Sequence, residues 1–175
     1  CDSLTSIEIP NTIKSIGQKA FENCKALKKV TFAEDSKVGA IEDRTFNECT
    51  ALTEIQLPSS ILSIGKETFY NCKALKKVNI PSKVKILDNH LFLGCSALEN
   101  IEFPNGITKI GEFAFYECTA LKAINIPSTV KTIGKNAFRG CTTLKTAKIP
   151  NSVKTVNEGA FAYCTGLTVG EIPSS

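Results

Sequence analysis

The sequence predicts an α/β fold, a right-handed solenoid with a parallel β-sheet on one face and short helices or turns on the other. Three observations predict it: a repeat of 23 residues, an apolar alternation typical of a strand within each repeat, and a second apolar spacing typical of a helical turn. The chain has 175 residues, which suits one domain. Its 42% hydrophobic and 22% charged residues exclude a disordered tail and a membrane bundle.

The cysteines mark the repeat. Successive cysteines are 23, 25, 23, 23, 23, 23 and 23 residues apart, at Cys1, Cys24, Cys49, Cys72, Cys95, Cys118, Cys141 and Cys164. They divide one domain, residues 1–175, into units 1–23, 24–48, 49–71, 72–94, 95–117, 118–140, 141–163 and a partial unit 164–175. Unit 24–48 holds two extra residues, after which Val38 and Ile41 restore the register. Because neither end shows a polar capping module, we expect the chain to be a fragment of a longer protein.

Each unit contains the same three elements. In the unit that begins at Cys118, Ile124 and Ile126 alternate with polar residues as in a half-buried strand, and Pro127 ends that strand because it lacks an N–H. Residues 130–133 predict a second short extended piece, and the apolar spacing from 133 to 141 predicts a turn or two of helix. One unit cannot bury an apolar face alone, so stacked copies must bury it against each other.

The core columns and one irregular strand follow from the alignment of units. A phenylalanine recurs in every unit and predicts a core spine: Phe21, Phe46, Phe69, Phe92, Phe115, Phe138 and Phe161. In the strand column that elsewhere holds isoleucine or valine, the last two units carry Ala147 and Gly170. We therefore expect an irregular strand near the end of the chain.

The unit resembles the leucine-rich repeat of the BspA-like, or Treponema pallidum, type. The resemblance rests on Leu-x-x-Ile-x-Ile-Pro followed by Ile-Gly-x-x-Ala-Phe-x-x-Cys in almost every copy, over the whole chain. The family is found in surface proteins of bacteria and trichomonad-like protozoa. The resemblance implies a non-catalytic protein-recognition or adhesion module of a cell-surface or secreted protein that binds host or extracellular-matrix proteins. The alternative is a cytoplasmic scaffold or targeting domain of a larger protein.

The cysteines predict a ladder of free, buried thiols. Side chains in one column of a solenoid point the same way, whereas a disulfide needs its Cβ vectors turned toward each other. Four disulfides between neighbouring units remain the alternative, since the coil spacing alone permits them. A zinc site is not indicated, because the sequence has no Cys-x-x-Cys motif and no second histidine.

We expect no catalytic, cofactor-binding or metal site. His90 is the only histidine, and no nucleophile and base recur together in the repeat frame. We expect His90 on the surface. The sequence therefore favours binding over catalysis.

Two surfaces are candidate binding sites. Strand residues that flank the apolar positions face outward on the concave sheet, and their candidate ligand-binding members are Glu54, Gln56, Lys77, Asn79, Asn100, Glu102 and Asn125. The column after the core phenylalanine predicts an apolar stripe of Tyr70, Leu93 and Tyr116, with Phe113 beside it. The stripe either binds a ligand or only extends the core, and the sequence leaves both open.

The net charge and the distribution of charged residues limit the classes of partner that we expect. The net charge of +4 is below that of a dedicated nucleic-acid binder, and no apolar run is long enough for membrane insertion. Rows of lysines recur in two columns: Lys28, Lys76, Lys122 and Lys145 in one, and Lys14, Lys85, Lys131 and Lys154 in the other. They indicate a solvated face, with binding of an acidic glycan as the functional alternative. The oligomeric state is not indicated.

Overall fold

The structure, a computed structural model, describes residue 1 and residues 3–168 as a stack of coils, each with short strands followed by a turn segment. The strands lie in two lines, which we call the first and second sheet faces. The first sheet face contains β1 (Ser6–Ile9), β3 (Lys29–Phe32), β5 (Glu54–Ile55), β7 (Lys77–Val78), β10 (Ala123–Asn125) and β12 (Thr146–Lys148). The second contains β2 (Ser15–Ile16), β4 (Ala40–Ile41), β6 (Ser63–Ile64), β8 (Ile86–Leu87), β9 (Lys109–Ile110), β11 (Thr132–Ile133) and β13 (Thr155–Val156).

All strand pairs are parallel and join neighbouring coils. The first face consists of β1-β3-β5-β7 and of β10-β12, and the second of β2-β4-β6 and of β8-β9-β11-β13. Ile16 pairs with Ile41 and Ile41 with Ile64, so the register is intact on both sides of the two-residue insertion. The predicted parallel solenoid and the second extended piece of each unit are therefore confirmed.

The predicted short helices are wrong: residue 1 and residues 3–168 contain no helix, and hence none that could span a membrane. Two residues of each turn segment, such as His90 (φ 59°) and Gly94 (φ 72°), adopt left-handed backbone angles, which interrupt a right-handed helix. The N–H groups of His90, Phe92 and Gly94 donate to the next coil, at 2.8 Å each. A helix would keep those bonds within the segment. The apolar spacing that suggested a helix comes from tight turns between inter-coil bonds.

The phenylalanine spine is confirmed as the centre of the core. Phe46, Phe69, Phe92, Phe115 and Phe138 are fully buried. Consecutive rings stack with centroids 5.1–5.7 Å apart, a separation at which offset-stacked rings attract. Phe21 and Phe161, in the outer coils, are only partly buried.

The cysteines form a ladder of free thiols, as predicted, with one exception. Cys24 to Cys164 are buried, and Cys1 is exposed. From Cys49 onward each thiol donates to the carbonyl oxygen of a phenylalanine in the preceding coil; Cys95 Sγ, for example, lies 3.0 Å from the oxygen of Phe69. That oxygen also accepts the backbone N–H of Cys72 at 3.1 Å. The thiols therefore fill the core and satisfy the second lone pair of a buried carbonyl.

The coils approach closely where the second strand turns into the turn segment. A Cβ on Gly134 would lie 2.5 Å from the carbonyl carbon of Gly111 and 2.6 Å from the nitrogen of Glu112. Only glycine fits such an approach without a shift of backbone. Ala147 lies buried in β12, where it keeps the strand register, whereas the irregularity expected at Gly170 falls outside the described residues.

Candidate functional site

A cleft of about 970 Å³ lies on the first sheet face, and we call it the first-face groove. It extends from β3 across β5 and β7 to the coil segment 99–104. Its lining contains six of the seven ligand-binding residues expected from the sequence: Glu54, Gln56, Lys77, Asn79, Asn100 and Glu102. The seventh, Asn125, lies in β10 and outside the lining. The structure thus brings the candidates together, and their role in binding stays a prediction.

One end of the groove coincides with the interruption of the first sheet face. The ladder that begins at β1 ends at β7, and pairing resumes where Asn100 bridges to Ala123. The rest of the groove lies over β3, β5 and β7, which remain paired. Pairing is therefore lost only where the groove reaches segment 99–104.

The groove carries balanced charge. Its lining includes three lysines and three glutamates: Lys29, Lys76, Lys77, Glu54, Glu99 and Glu102. Lys122, next to the groove, donates a hydrogen bond to Glu99 and lowers the pKa of that carboxyl. Among the described residues, Glu54, Lys77 and Glu102 form no ion pair. These three exposed charges are available to a ligand.

Asn79 has a structural task at the floor of the groove. Its amide oxygen accepts the N–H of Leu57 at 2.6 Å, and its amide nitrogen donates to the carbonyl of Leu57 at 2.8 Å. The side chain takes the place of a strand partner beyond the end of β5. Asn79 therefore shapes the groove, and its amide is already engaged.

Phe103 is a groove residue that the sequence analysis missed. It occupies the strand column that holds Ile126 in a later unit, and it is half-buried. Its ring meets the core ring of Phe115 edge-on, with centroids 5.7 Å apart. The signal was present in the sequence, because this column is aliphatic in the other units except at Phe32. Phe103 supplies the aromatic contact that the outward-facing columns lack.

The predicted apolar stripe lies along the turn segments. Tyr70, Leu93, Phe113 and Tyr116 are all half-buried. Phe113 lies 5.6 Å from Tyr116 between ring centroids, and on its other side it stacks on His90 at 5.1 Å. Phe113 thus packs against the rings of both His90 and Tyr116. The choice between a binding stripe and a core extension stays open.

His90 is half-buried, whereas the sequence analysis placed it on the surface. Its ring lies parallel to that of Phe113, at an interplanar angle of 4°. Phe113 adopts a left-handed φ of 54°, which is rare for a bulky side chain. His90 and Phe113 are 23 residues apart, so the repeat places them in one column of neighbouring coils. The pattern did not single out this stack because the same column holds lysine, arginine, glutamate, asparagine and glycine in the other units.

Comparison with known proteins supports the fold independently. The family model described as "BspA type Leucine rich repeat region" matches residues 1–97 and 88–175, and six copies are found. No match to a curated protein sequence was found.

Solved structures give the same result. A leucine-rich repeat protein of T. pallidum shares 27% sequence identity at a TM-score of 0.88, covering 95% of this chain and 79% of that one. One from Eubacterium ventriosum shares 33% at 0.85, covering 97% and 45%. A third, from Bacteroides ovatus, shares 27% at 0.61, covering 93% and 59%. The chain thus spans about half the length of the last two proteins.

The repeat signature, the parallel register, the phenylalanine spine and the family match agree, and no enzymatic family is indicated. The chain belongs to the family of BspA-type leucine-rich repeat proteins.

Proposed function

We propose that the chain is a non-catalytic recognition and adhesion module of a cell-surface protein, and that it binds host or extracellular-matrix proteins in the first-face groove. One observation carries the proposal: the groove gathers Glu54, Lys77 and Glu102, which have no ion-pair partner among the described residues, beside the aromatic ring of Phe103. An aromatic anchor with flanking charges is the usual composition of an energetically important contact between proteins.

The rigidity of the scaffold supports the same role. Inter-coil backbone bonds fix the strands beside the groove, and Asn79 fixes its floor. A preorganised surface loses little conformational entropy when it binds. The groove is therefore suited to an extended segment of a partner protein with charges of both signs.

Display at a cell surface rests on the family resemblance, with an intracellular scaffold as the alternative. The free thiols do not distinguish a cell-surface location from an intracellular one. Cys24 to Cys164 are buried, so an oxidising environment has no ready access to them. The groove would serve a protein partner in either compartment.

A charge exchange tests the groove without changing the net charge. Glu54 and Lys77 are register partners on β5 and β7, so Glu54→Lys with Lys77→Glu keeps opposite charges adjacent and inverts the pattern that a ligand meets. The probes are immobilised collagen, laminin and fibronectin. We expect the exchange to weaken binding to a retained probe by about tenfold or more. The matched control exchanges Lys135 and Glu158. These two residues form an ion pair with a nitrogen–oxygen distance of 2.7 Å, and neither belongs to the groove lining.

Two results would count against the groove. Equal weakening by the control would attribute the effect to general electrostatics. Loss of binding on Tyr70→Ser with Tyr116→Ser, at unchanged melting temperature and with the groove exchange silent, would place the site on the apolar stripe instead.

A further inference from the structure

A second charged surface lies on the C-terminal half of the second sheet face, apart from the first-face groove. The four segments 82–87, 105–110, 128–133 and 151–156 enclose β8, β9, β11 and β13. Together they contain five lysines, Lys83, Lys85, Lys109, Lys131 and Lys154, and no aspartate or glutamate. We call this surface the lysine–hydroxyl face. It holds far more positive charge than the balanced groove.

The lysines of this face are exposed and unpaired. All five side chains are exposed, and among the described residues none forms an ion pair. The carboxylates that follow these segments along the chain are Asp88, Glu112 and Glu158. Glu158 is already held by Lys135, which lowers the pKa of that carboxyl. The positive charge is therefore left for a ligand from outside the chain.

The arrangement of the lysines is linear and fixed by the sheet. Lys109 is the register partner of Thr132, and Thr132 that of Thr155. The N–H of Lys131 bonds to the carbonyl of Thr108 at 2.9 Å, and that of Lys154 to the carbonyl of Lys131 at 2.9 Å. At about 4.8 Å per coil, three steps from Lys85 to Lys154 span roughly 14 Å. A linear ligand with repeating anionic groups matches such a row.

Hydroxyl groups accompany the lysines. The same segments contain three serines and four threonines, Ser82, Ser128, Ser152, Thr108, Thr129, Thr132 and Thr155, and no Phe, Tyr or Trp. Single-stranded nucleic acid is bound with aromatic stacking, and membrane surfaces with large apolar side chains that insert. Ile86 and Val156 are the exposed large apolar side chains of this face, and they lie in β8 and β13, at opposite ends of the ladder, so they form no continuous inserting patch. The hydroxyls of Thr108, Thr129 and Ser152 already donate to backbone carbonyls of the neighbouring coil. The other hydroxyls and the ammonium groups suit the hydroxyl, sulfate and carboxylate groups of an anionic polysaccharide.

We propose that the lysine–hydroxyl face binds a linear anionic glycan, and that it does so independently of protein recognition in the first-face groove. The lysines neutralise sulfate or carboxylate groups and release their counterions, so affinity falls steeply as salt rises. The proposal does not depend on the groove, since no residue is shared between the two surfaces.

The test uses heparin, chondroitin sulfate and hyaluronan as probes, with a DNA oligonucleotide and phosphatidylserine vesicles for comparison. The variant Lys109→Gln with Lys131→Gln removes two adjacent charges. At about fivefold per lysine, we expect the loss of two lysines to weaken heparin binding about 25-fold. The matched control, Lys25→Gln with Lys73→Gln, removes two exposed lysines outside both surfaces and is expected to leave binding within about twofold of wild type.

Further measurements distinguish loss of ligand contacts from loss of folding, and identify the anionic group that is recognised. Lys109→Arg with Lys131→Arg should restore heparin binding, and melting temperatures should be the same for all variants. Binding of hyaluronan as tight as that of heparin would assign carboxylate rather than sulfate as the recognised group, within the same proposal. No heparin binding by the wild type at low salt, equal loss in the control, or tighter binding of DNA or vesicles that the same variant abolishes would each overturn it.

Discussion

Truncating one ring of the phenylalanine spine probes the energetics of the whole stack. Phe92 is fully buried, and its ring stacks on Phe69 at 5.4 Å and on Phe115 at 5.2 Å. Phe92→Ala removes the buried ring and leaves a cavity, which costs about 3–5 kcal/mol of unfolding free energy. Folded domains have only about 5–15 kcal/mol in total, so the loss is a large part of the stability.

The position of the ring decides the size of the effect. Phe21 lies in an outer described coil, is only partly buried and stacks on one phenylalanine, Phe46, at 5.4 Å. Phe21→Ala should therefore cost roughly half as much as Phe92→Ala. Because each coil contacts mainly its neighbours, a weakened central coil should also broaden the unfolding transition.

Urea unfolding followed by circular dichroism measures both quantities. Thiol labelling during the titration adds a local readout, since Cys95 follows Phe92 in the same turn segment and is buried. It should become reactive at lower urea in Phe92→Ala than in Phe21→Ala. Equal destabilisation by the two variants, or a loss below about 1 kcal/mol for Phe92→Ala, would refute the spine as the main source of stability.

Three further predictions concern thiol labelling, the pH dependence of stability and the close approach of coils. In native protein at pH 8 a thiol reagent should label Cys1 at once and the buried cysteines only after unfolding; early labelling of several buried thiols would contradict the ladder. Burial raises the pKa of Cys49 from 9.0 to about 12, so between these pH values the thiol is neutral in the folded protein and ionised in the unfolded one. The free energy of unfolding should therefore fall between pH 9 and 12, by about 1.4 kcal/mol per pH unit for this thiol. Burial also raises the pKa of Cys72, Cys95 and Cys118, so Cys49→Ala should reduce the total slope by that amount rather than abolish it, as measured by denaturation curves across this range. Gly134→Ala should destabilise the protein by about 1–3 kcal/mol, because the new Cβ meets backbone of the neighbouring coil. Gly17→Ala has open space at its Cβ and should be neutral or slightly stabilising. Similar melting temperatures for the two variants would contradict the close contact at Gly134.

Much of the site could be anticipated from the repeat alone. The two-residue alternation of Ile124 and Ile126 shows which neighbours face outward, and that argument led to six of the groove residues. It could not reveal that the side-chain amide of Asn79 is hydrogen-bonded to the backbone of Leu57, nor that Phe103 borders the groove. Both facts depend on where inter-coil pairing stops, and a single unit of sequence does not encode its pairing with the next.

The turn segments mark the limit of pattern reasoning. Phe92 and Cys95 recur at a spacing that a helix would also produce, yet the chain there makes tight turns whose alternate N–H groups bond to the next coil. Apolar spacing reports which side chains point inward, and helices and repeated turns can share it. The left-handed angles at residues such as His90 distinguish them, and most of those residues are not glycine.

By itself the sequence determined the unit, its register, the spine and the cysteine column, because a 23-residue period forces equivalent residues to stack on each other. Only the tertiary structure decided that the third segment is non-helical, that a groove runs over the first sheet face from β3 to segment 99–104, and that five lysines share one face without ion-pair partners among the described residues. These features arise between coils, from backbone hydrogen bonds and side-chain distances that exist only once the units are stacked.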